Sequence, residues 1–356
     1  MDLRTKRLAQ LIVKYSVFVK HGENVIIFGS TEAEEFIKAL YEEVLKADGH
    51  PILRLNLPGL THTFYKHAQK HHLEKFPEHF DYTVKNSQKY IGIDTETNTR
   101  ELTNADPSKI ATRSKIVHSI SEYIVNSKPK MHRVTVGFPC QALAQEAEMS
   151  LSEYENFVFG ACLQDWNKLG KLMDIILRSF KKDSDVHLIG EGVDLKMKVR
   201  GEKAVADKGE ENMPGGEVFM APIRNSLNGW IKFDYPSVRD GKEVKDIELI
   251  FKDGKVIKVT ASKNEDYLKK MIKVDKNAEY VGELGIGCNP KIKKYTNNLL
   301  FDEKIGGTIH LALGAAYKEN GGGNDSALHW DIVKSMKKAK IIVDGKVIQE
   351  NGVWKI

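Results

Sequence analysis

Cysteine is scarce in this chain: Cys140, Cys162 and Cys288 are the only three in 356 residues, and no two form a CxxC pair. That argues against a disulfide framework and against a cysteine zinc ribbon, and a reducing, intracellular setting is expected. Long apolar runs are also missing, since none approaches the roughly 20 residues that span a bilayer. The opening Met1-Asp2-Leu3-Arg4-Thr5-Lys6-Arg7 has charges where a signal peptide needs an apolar core, so a cytoplasmic protein is expected. Charge of one sign is not concentrated either. The 54 Lys+Arg exceed the 49 Asp+Glu by only five, and the excess is spread along the chain. A nucleic-acid binder gathers it on one face, so neither nucleic acid nor membrane is expected as a partner.

Familiar catalytic signatures are absent as well. There is no GxxxxGK[ST], no GxSxG and no HExxH. Gly190-Glu191-Gly192 and Gly285-Ile286-Gly287 are fragments of a dinucleotide fingerprint without its third glycine, and the second runs into Cys288-Asn289-Pro290. What is present is ordinary globular composition, with 41% hydrophobic and 29% charged residues. The length predicts two domains.

Residues 1–183 read as an α/β domain. Leu8, Leu11, Ile12 and Tyr15 form a helical stripe within Leu3–Val19. Asn24–Gly29, Ile52–Leu55, Tyr90–Ile93 and Arg133–Val136 are short apolar runs of the kind buried in parallel sheets. Helices are expected after Thr31, at Ser108–Val125 and at Gln141–Glu148, so the pattern is βαβ-type. After a mostly helical stretch, residues 184–356 change character. Val193, Leu195, Met197 and Val199 alternate with polar residues, as in a half-buried strand. Ile247–Phe251 and Val256–Val259 flank Asp253-Gly254, a hairpin signature that Lys340–Val343, Asp344-Gly345 and Val347–Ile348 repeat. The second half is therefore expected to be an antiparallel-rich α+β domain.

Five histidines crowd the first half: His62, His67, His71, His72 and His79. His67 and His71 are spaced to share a helix face, but Lys66, Lys70 and Lys75 oppose a metal there, and a solvated face is the simpler reading. The second half carries more chemistry. In His329-Trp330-Asp331 an imidazole and a carboxylate point to one side if the segment is a strand. A loop, or the start of a helix over Ile332–Lys338, is the alternative. His310 lies in the apolar Thr308–Gly314, where a lone histidine is usually a core residue. Glu217 opens a strand after Gly215-Gly216, and Glu283 interrupts the apolar Tyr280–Gly287. Each carboxylate alone reads equally as an edge residue or as one paired with a cation. A buried carboxylate has to be paired, protonated or metal-bound. Together, two Glu, one Asp and two His make an O/N donor set without cysteine, which suits a pair of divalent ions such as zinc, cobalt or manganese.

The second half resembles the thermophilic metalloaminopeptidases, the type of aminopeptidases T and S. The resemblance rests on Asn212-Met213-Pro214-Gly215-Gly216-Glu217-Val218-Phe219, on Tyr280-Val281-Gly282-Glu283-Leu284-Gly285, on Asp302–Gly314 and on the Tyr317 region through Asp331. Phe138–Ser150 is similar to the family's Pro-Thr-Gln-Ala run, with Cys140 in place of the threonine. The resemblance implies an α/β N-terminal domain, a C-terminal metal domain and a homodimer. It places the metal ligands on Glu217, Glu283, His310, His329 and Asp331, and sets Tyr317 beside them. It implies an enzyme that removes the N-terminal residue of short peptides with a free N-terminus. Glu283 would be the general base and Tyr317 a donor to the oxyanion. Glu303 reads either as a neighbour of the ligands or as a surface residue.

Overall fold

Val25, Ile26 and Ile27 have no solvent-accessible surface, and they define the strand on which the first half is built. The computed structural model describes residues 2–239, 241–317 and 320–356. Helix α1 (Leu3–Leu11) is capped by the Asp2 carboxylate, which accepts from the Arg4 amide, and it runs on into a π-helical turn at Ile12–Ser16. The expected helix thus continues with a change of pitch. Then follow β1 (Asn24–Ser30), α2 (Glu34–Lys46) and β2 (His50–Asn56). The histidine-rich stretch breaks into α3 (Leu60–His67), α4 (Lys70–Glu74) and α5 (Glu78–Lys85). His67 ends one helix and His71 lies in the next, so they do not share a face. After them come β3 (Lys89–Asp94), α6 (Pro107–Asn126), β4 (His132–Gly137), α7 (Gln141–Glu146) and α8 (Leu151–Cys162).

The strands β2-β1-β3-β4 pair in parallel, the sheet that the βαβ pattern predicts. Helix α2 buries Phe36, Leu40 and Val44. Val84 of α5 and Ile120 of α6 join Ile26 and Met131 in another cluster. Burying such aliphatic side chains contributes about 1.5–3 kcal/mol each.

The chain divides into two compact units at Gln164/Asp165, earlier than the expected 183. The reason is α9 (Trp166–Arg178), whose buried Trp166, Leu169, Met173 and Ile176 belong to the second unit. That unit continues with β5 (Ser184–Gly190), β6 (Val193–Val199) and β7 (Val205–Asp207). The segment Gly209–Pro214 returns to the first unit, where β8 (Asn212–Met213) adds a parallel edge to β4.

The remaining strands of the second unit are β9 (Glu217–Met220), β10 (Asn228–Lys232), β11 (Ser237–Arg239), β12 (Lys242–Val244), β13 (Glu248–Lys252) and β14 (Lys255–Thr260). After α10 (Glu265–Met271) come β15 (Val281–Gly287), α11 (Leu299–Asp302), β16 (Thr308–Gly314), β17 (His329–Ser335), β18 (Ala339–Val343), β19 (Lys346–Glu350) and β20 (Val353–Trp354). The two hairpins form as read, β13/β14 and β18/β19. They lie in an eight-stranded antiparallel sheet ordered β14-β13-β10-β6-β5-β18-β19-β20. A second antiparallel sheet, ordered β17-β16-β15-β9-β7, carries the site. The fold is therefore α/β in its first unit and antiparallel-rich in its second, as expected.

Candidate metal centre

Register places the expected residues on one face of the second sheet. Side chains directly opposite across a ladder share a face, and alternate residues along a strand return to it. Glu217 of β9 lies opposite Gly287 of β15. Gly285 and Glu283 follow on the same face of β15, opposite His310 and Ala312 of β16. Ala312 faces Asp331 of β17, and Gly314 faces His329. All five candidates therefore converge. The opposite face carries Leu284, Ile286, Ile309, Leu311, Leu313 and Ile332, all without solvent-accessible surface. Apolar packing on one side fixes the register that aims the polar groups on the other. His329–Ser335 is a strand, so the helical alternative for this segment is set aside.

Small residues make the room. A Cβ on Gly285 would lie 1.9 Å from His310 Cε1 and 2.1 Å from Nε2. Ala312 leaves space between Glu283 and Asp331. His310 Nε2 stands 3.2 Å from Glu283 Oε1, 3.6 Å from Glu217 Oε2 and 3.9 Å from Asp331 Oδ1. His329 Nε2 is 3.3 Å from Asp331 Oδ2, and its Nδ1 lies 2.9 Å from the Ala315 carbonyl. Glu217, Glu283, His310 and Asp331 are all buried.

Two groups of donors emerge. Glu283, His310 and Asp331 form one, and Glu217, Glu303 and His310 the other, each with donor atoms within 4.8 Å of one another. His329 adjoins the first through Asp331. Glu303 therefore belongs to the cluster and is not a surface residue. Its sequence signal was weak because Asp302 and Lys304 flank it. Lys304, which nothing in the sequence singled out, is fully buried and pairs with Glu217 at 3.3 Å and with Glu303.

The electrostatics are those of a crowded acidic site. Burial pushes the Glu217 carboxyl up to about 8, with the Glu303 charge adding and Lys304 and His310 opposing. Burial raises Glu283 as well. Burial alone would lower His310, but the Glu283 hydrogen bond and the Glu217 and Asp331 charges hold it up at about 10. His329 is held at about 9 by Asp331 against the same desolvation. The histidines outweigh burial at Asp331 and keep it below the usual carboxylate value.

Glu217 Oε2, Glu283 Oε2, His310 Nδ1 and Asp331 Oδ1 are buried and have no hydrogen-bond partner. An unpaired buried polar atom costs about 1–3 kcal/mol, and more if charged. Four in one cluster fit bound cations, and oxygen and imidazole donors without thiolate suit divalent metals.

Tyr317 lies in an irregular segment after β16, so no helix links it to His310. Its ring centroid is 5.2 Å from that of His329 and 6.3 Å from that of Phe219. The residue is 44% exposed, but the desolvation of its inner part, with the Glu283 and Asp331 charges behind it, raises the phenol above its ordinary value, so it stays a neutral donor.

Known proteins are similar to this chain in sequence and in fold. Aminopeptidase AmpS of Bacillus subtilis (strain 168) is 25% identical over 99% of this chain and 100% of its own. Aminopeptidase T of Thermus aquaticus is 31% identical over 42% of this chain and 43% of its own. Wild-type AmpT from Thermus thermophilus superposes with a TM-score of 0.85 at 22% identity, covering 99% of both chains. A 2,5-dihydroxypyridine dioxygenase from Pseudomonas putida KT2440 superposes at 0.61 with 13% identity over 98% of this chain and 96% of its own, a likeness of fold alone. The family description "thermophilic metalloprotease (M29)" matches residues 1–354. With a buried carboxylate–histidine cluster that can hold metal and a family match over nearly its whole length, the chain belongs to the M29 thermophilic metalloproteases.

Proposed function

We propose that this chain is a cytoplasmic, homodimeric aminopeptidase that hydrolyses the N-terminal bond of short peptides at a centre of two divalent ions. The observation that carries the reading is the set of three unpartnered carboxylate oxygens around His310, whose own Nδ1 is also unpartnered. Glu283, His310 and Asp331, with His329 beside them, would hold one ion, and Glu217 and Glu303 would supply carboxylates to the other, since the His310 nitrogen within reach of both groups can serve one ion only. Zinc, cobalt or manganese fits these donors. Bound there, the ions supply Lewis acidity toward the scissile carbonyl and lower the pKa of a water from about 15.7 toward 7.

The chain's own residues do the rest. Glu283 has one oxygen 3.2 Å from His310 and the other without a partner. Having two oxygens, Glu283 would hold an ion with one and with the other take a proton from the attacking water and return it to the leaving amine, the usual work of a general base. The Tyr317 hydroxyl donates to the oxyanion that develops on the carbonyl. Buried carboxylates favour a substrate that brings a free α-ammonium.

Two measurements test the reading. Chelation should abolish hydrolysis of an unblocked leucyl peptide, and cobalt, zinc or manganese should restore it. The N-acetylated peptide should be cut poorly. Full activity in chelated protein refutes the metal centre. Equal cleavage of blocked and free peptides refutes the aminopeptidase reading and leaves another metal-dependent amide or dipeptide hydrolase.

A further inference from the structure

Strand β2 ends the parallel sheet, so one of its sides has no strand beside it. The His50 amide donates to the Glu23 carbonyl, toward β1. Backbone groups alternate sides along a strand, so Ile52, Arg54 and Asn56 also turn theirs to β1, while Pro51, Leu53 and Leu55 turn theirs outward. Side chains alternate between the two faces of the sheet. Ile52 packs into the cluster around Val84 and Ile120, and the Arg54 guanidinium lies 3.6 Å over the Phe80 ring. Leu53 and Leu55 therefore lie on the other face, the α2 side: a Cβ on Gly29, opposite Leu55, would stand 3.4 Å from Ile37 of α2.

Helix α2 does not cover them. Its Phe36 ring stacks on Phe138, just past β4, so that flank of the helix points to the middle of the sheet. Tyr41 and Leu45 lie on the opposite flank, on the β2 side, and share it because they are four residues apart. Tyr41, Leu45, Leu53, Leu55 and the following Leu57 are each between 41% and 54% exposed. At about 200 Å² for a large residue, they leave roughly 450 Å² bare, more than half of the about 800 Å² that each partner of a stable complex covers. Exposed edge strands are usually blunted by charged side chains. Here the outward positions Leu53 and Leu55 carry none, and Arg54 is turned to the other face, so the strand does not repel its own copy.

We propose that β2 and the exposed flank of α2 form the surface on which a second copy of this chain docks, strand against antiparallel strand about a twofold axis at Leu53. Such an axis sets Leu53 opposite itself and Leu55 opposite Pro51 of the second copy. Each outward N–H then meets a carbonyl, and Pro51 has no N–H to leave unpaired. Arg54 faces Ile52 instead of a second arginine. The five-stranded sheet and its copy become one continuous sheet, with both α2 flanks on the same side of it. This rests on the homodimer of the reading above and adds where the copies meet.

The test uses the full-length chain, with light scattering after size exclusion. The unaltered protein should be a dimer at micromolar concentration. Leu53→Lys combined with Leu55→Lys should weaken association by at least about a hundredfold, with circular dichroism unchanged. Ile257→Lys, on an exposed residue of β14, should leave the dimer intact. Leu53→Cys should form a disulfide between copies on mild oxidation, because directly opposed hydrogen-bonded residues stand about 5.5 Å apart at Cα, within disulfide range. The native cysteines are all buried, and Ile257→Cys is the control. A dimer that survives the paired lysines, or a Leu53→Cys protein that oxidises no faster than Ile257→Cys, overturns this surface and spares the homodimer. A monomeric unaltered protein overturns both and leaves the face to a different partner.

Discussion

Gly285→Ala adds one methyl group and should dismantle the site. Gly285 does not need a left-handed conformation, so alanine brings no backbone strain and the effect is purely steric. The new Cβ would stand 1.9 Å from His310 Cε1. Carbon atoms in contact sit about 3.5–4.0 Å apart, so ring and strand have to separate by roughly 1.5 Å. That exceeds the slack in the 3.2 Å contact between His310 Nε2 and Glu283 Oε1. Overpacking of this kind costs about 1–3 kcal/mol, and a hydrogen bond to a charged group is worth about 1.5–3 kcal/mol more. For a unit of this size the sum corresponds to a melting temperature lower by roughly 5–20 °C. Function should suffer more, because His310 stands within reach of both donor groups and a misplacement of about 1 Å can cost 10²-fold in rate. The assays are thermal unfolding, metal analysis after dialysis, and turnover of an unblocked leucyl peptide. Gly160→Ala in α8 is the control. Its Cβ would meet nothing within 4 Å, so it should be neutral or stabilise by about 0.5–1 kcal/mol. Normal metal content and turnover in Gly285→Ala would refute the placement of His310.

Three further outcomes are expected. Glu283→Gln keeps the size of the side chain but loses the base, so turnover should fall by about 10² or more; near-normal turnover moves the base to another residue, with Glu303 the next to test. Tyr317→Phe should leave metal content unchanged and lower kcat by about 10²–10³ with KM little moved, because the bond forms mainly in the transition state. Loss of metal in that variant would make Tyr317 a ligand, and unchanged kcat would leave its ring a packing role only. Metal-free protein should lose stability as pH rises. The stabilisation from His310 is complete below its ordinary 6.5 and is lost toward about 10. Glu217 slopes the same way, its folded value standing at about 8 against 4.5. Melting curves of chelated protein that stay flat or rise between pH 6.5 and 9 would contradict this.

Much of the first unit was legible because parallel strands buried on both faces are written as apolar runs. Asn24–Gly29 and Arg133–Val136 became β1 and β4 almost to the residue. Asp-Gly turns marked both hairpins for a local reason, since Asp253 and Asp344 each take a positive φ. The helices from Leu60 to Lys85 were not legible as separate elements. They are short, and α3 buries none of its residues, so no apolar stripe advertises them. In the site, Glu217 and Glu283 stood out as carboxylates in apolar or glycine-rich text. Glu303 and Lys304 did not, because a run of charges reads as surface until a turn folds it inward. The helical guess for Ile332–Lys338 failed because β17 is buried along its whole middle, which erases the alternation that identifies a strand.

The single-faced layout of the donors also bears on how the protein matures. A slip of one residue in the pairing of β15, β16 or β17 would turn every donor of that strand toward the apolar side. An ion can thus bind only a sheet that has already found its correct register. By mass action, binding then stabilises that pairing alone, by about 2.7 kcal/mol at a hundredfold excess over the dissociation constant. Any ion held there would therefore favour the correctly paired sheet over its slipped alternatives. Chains paired out of register gain nothing from the ion and stay open to rearrangement, while correctly paired ones are withdrawn from the exchange.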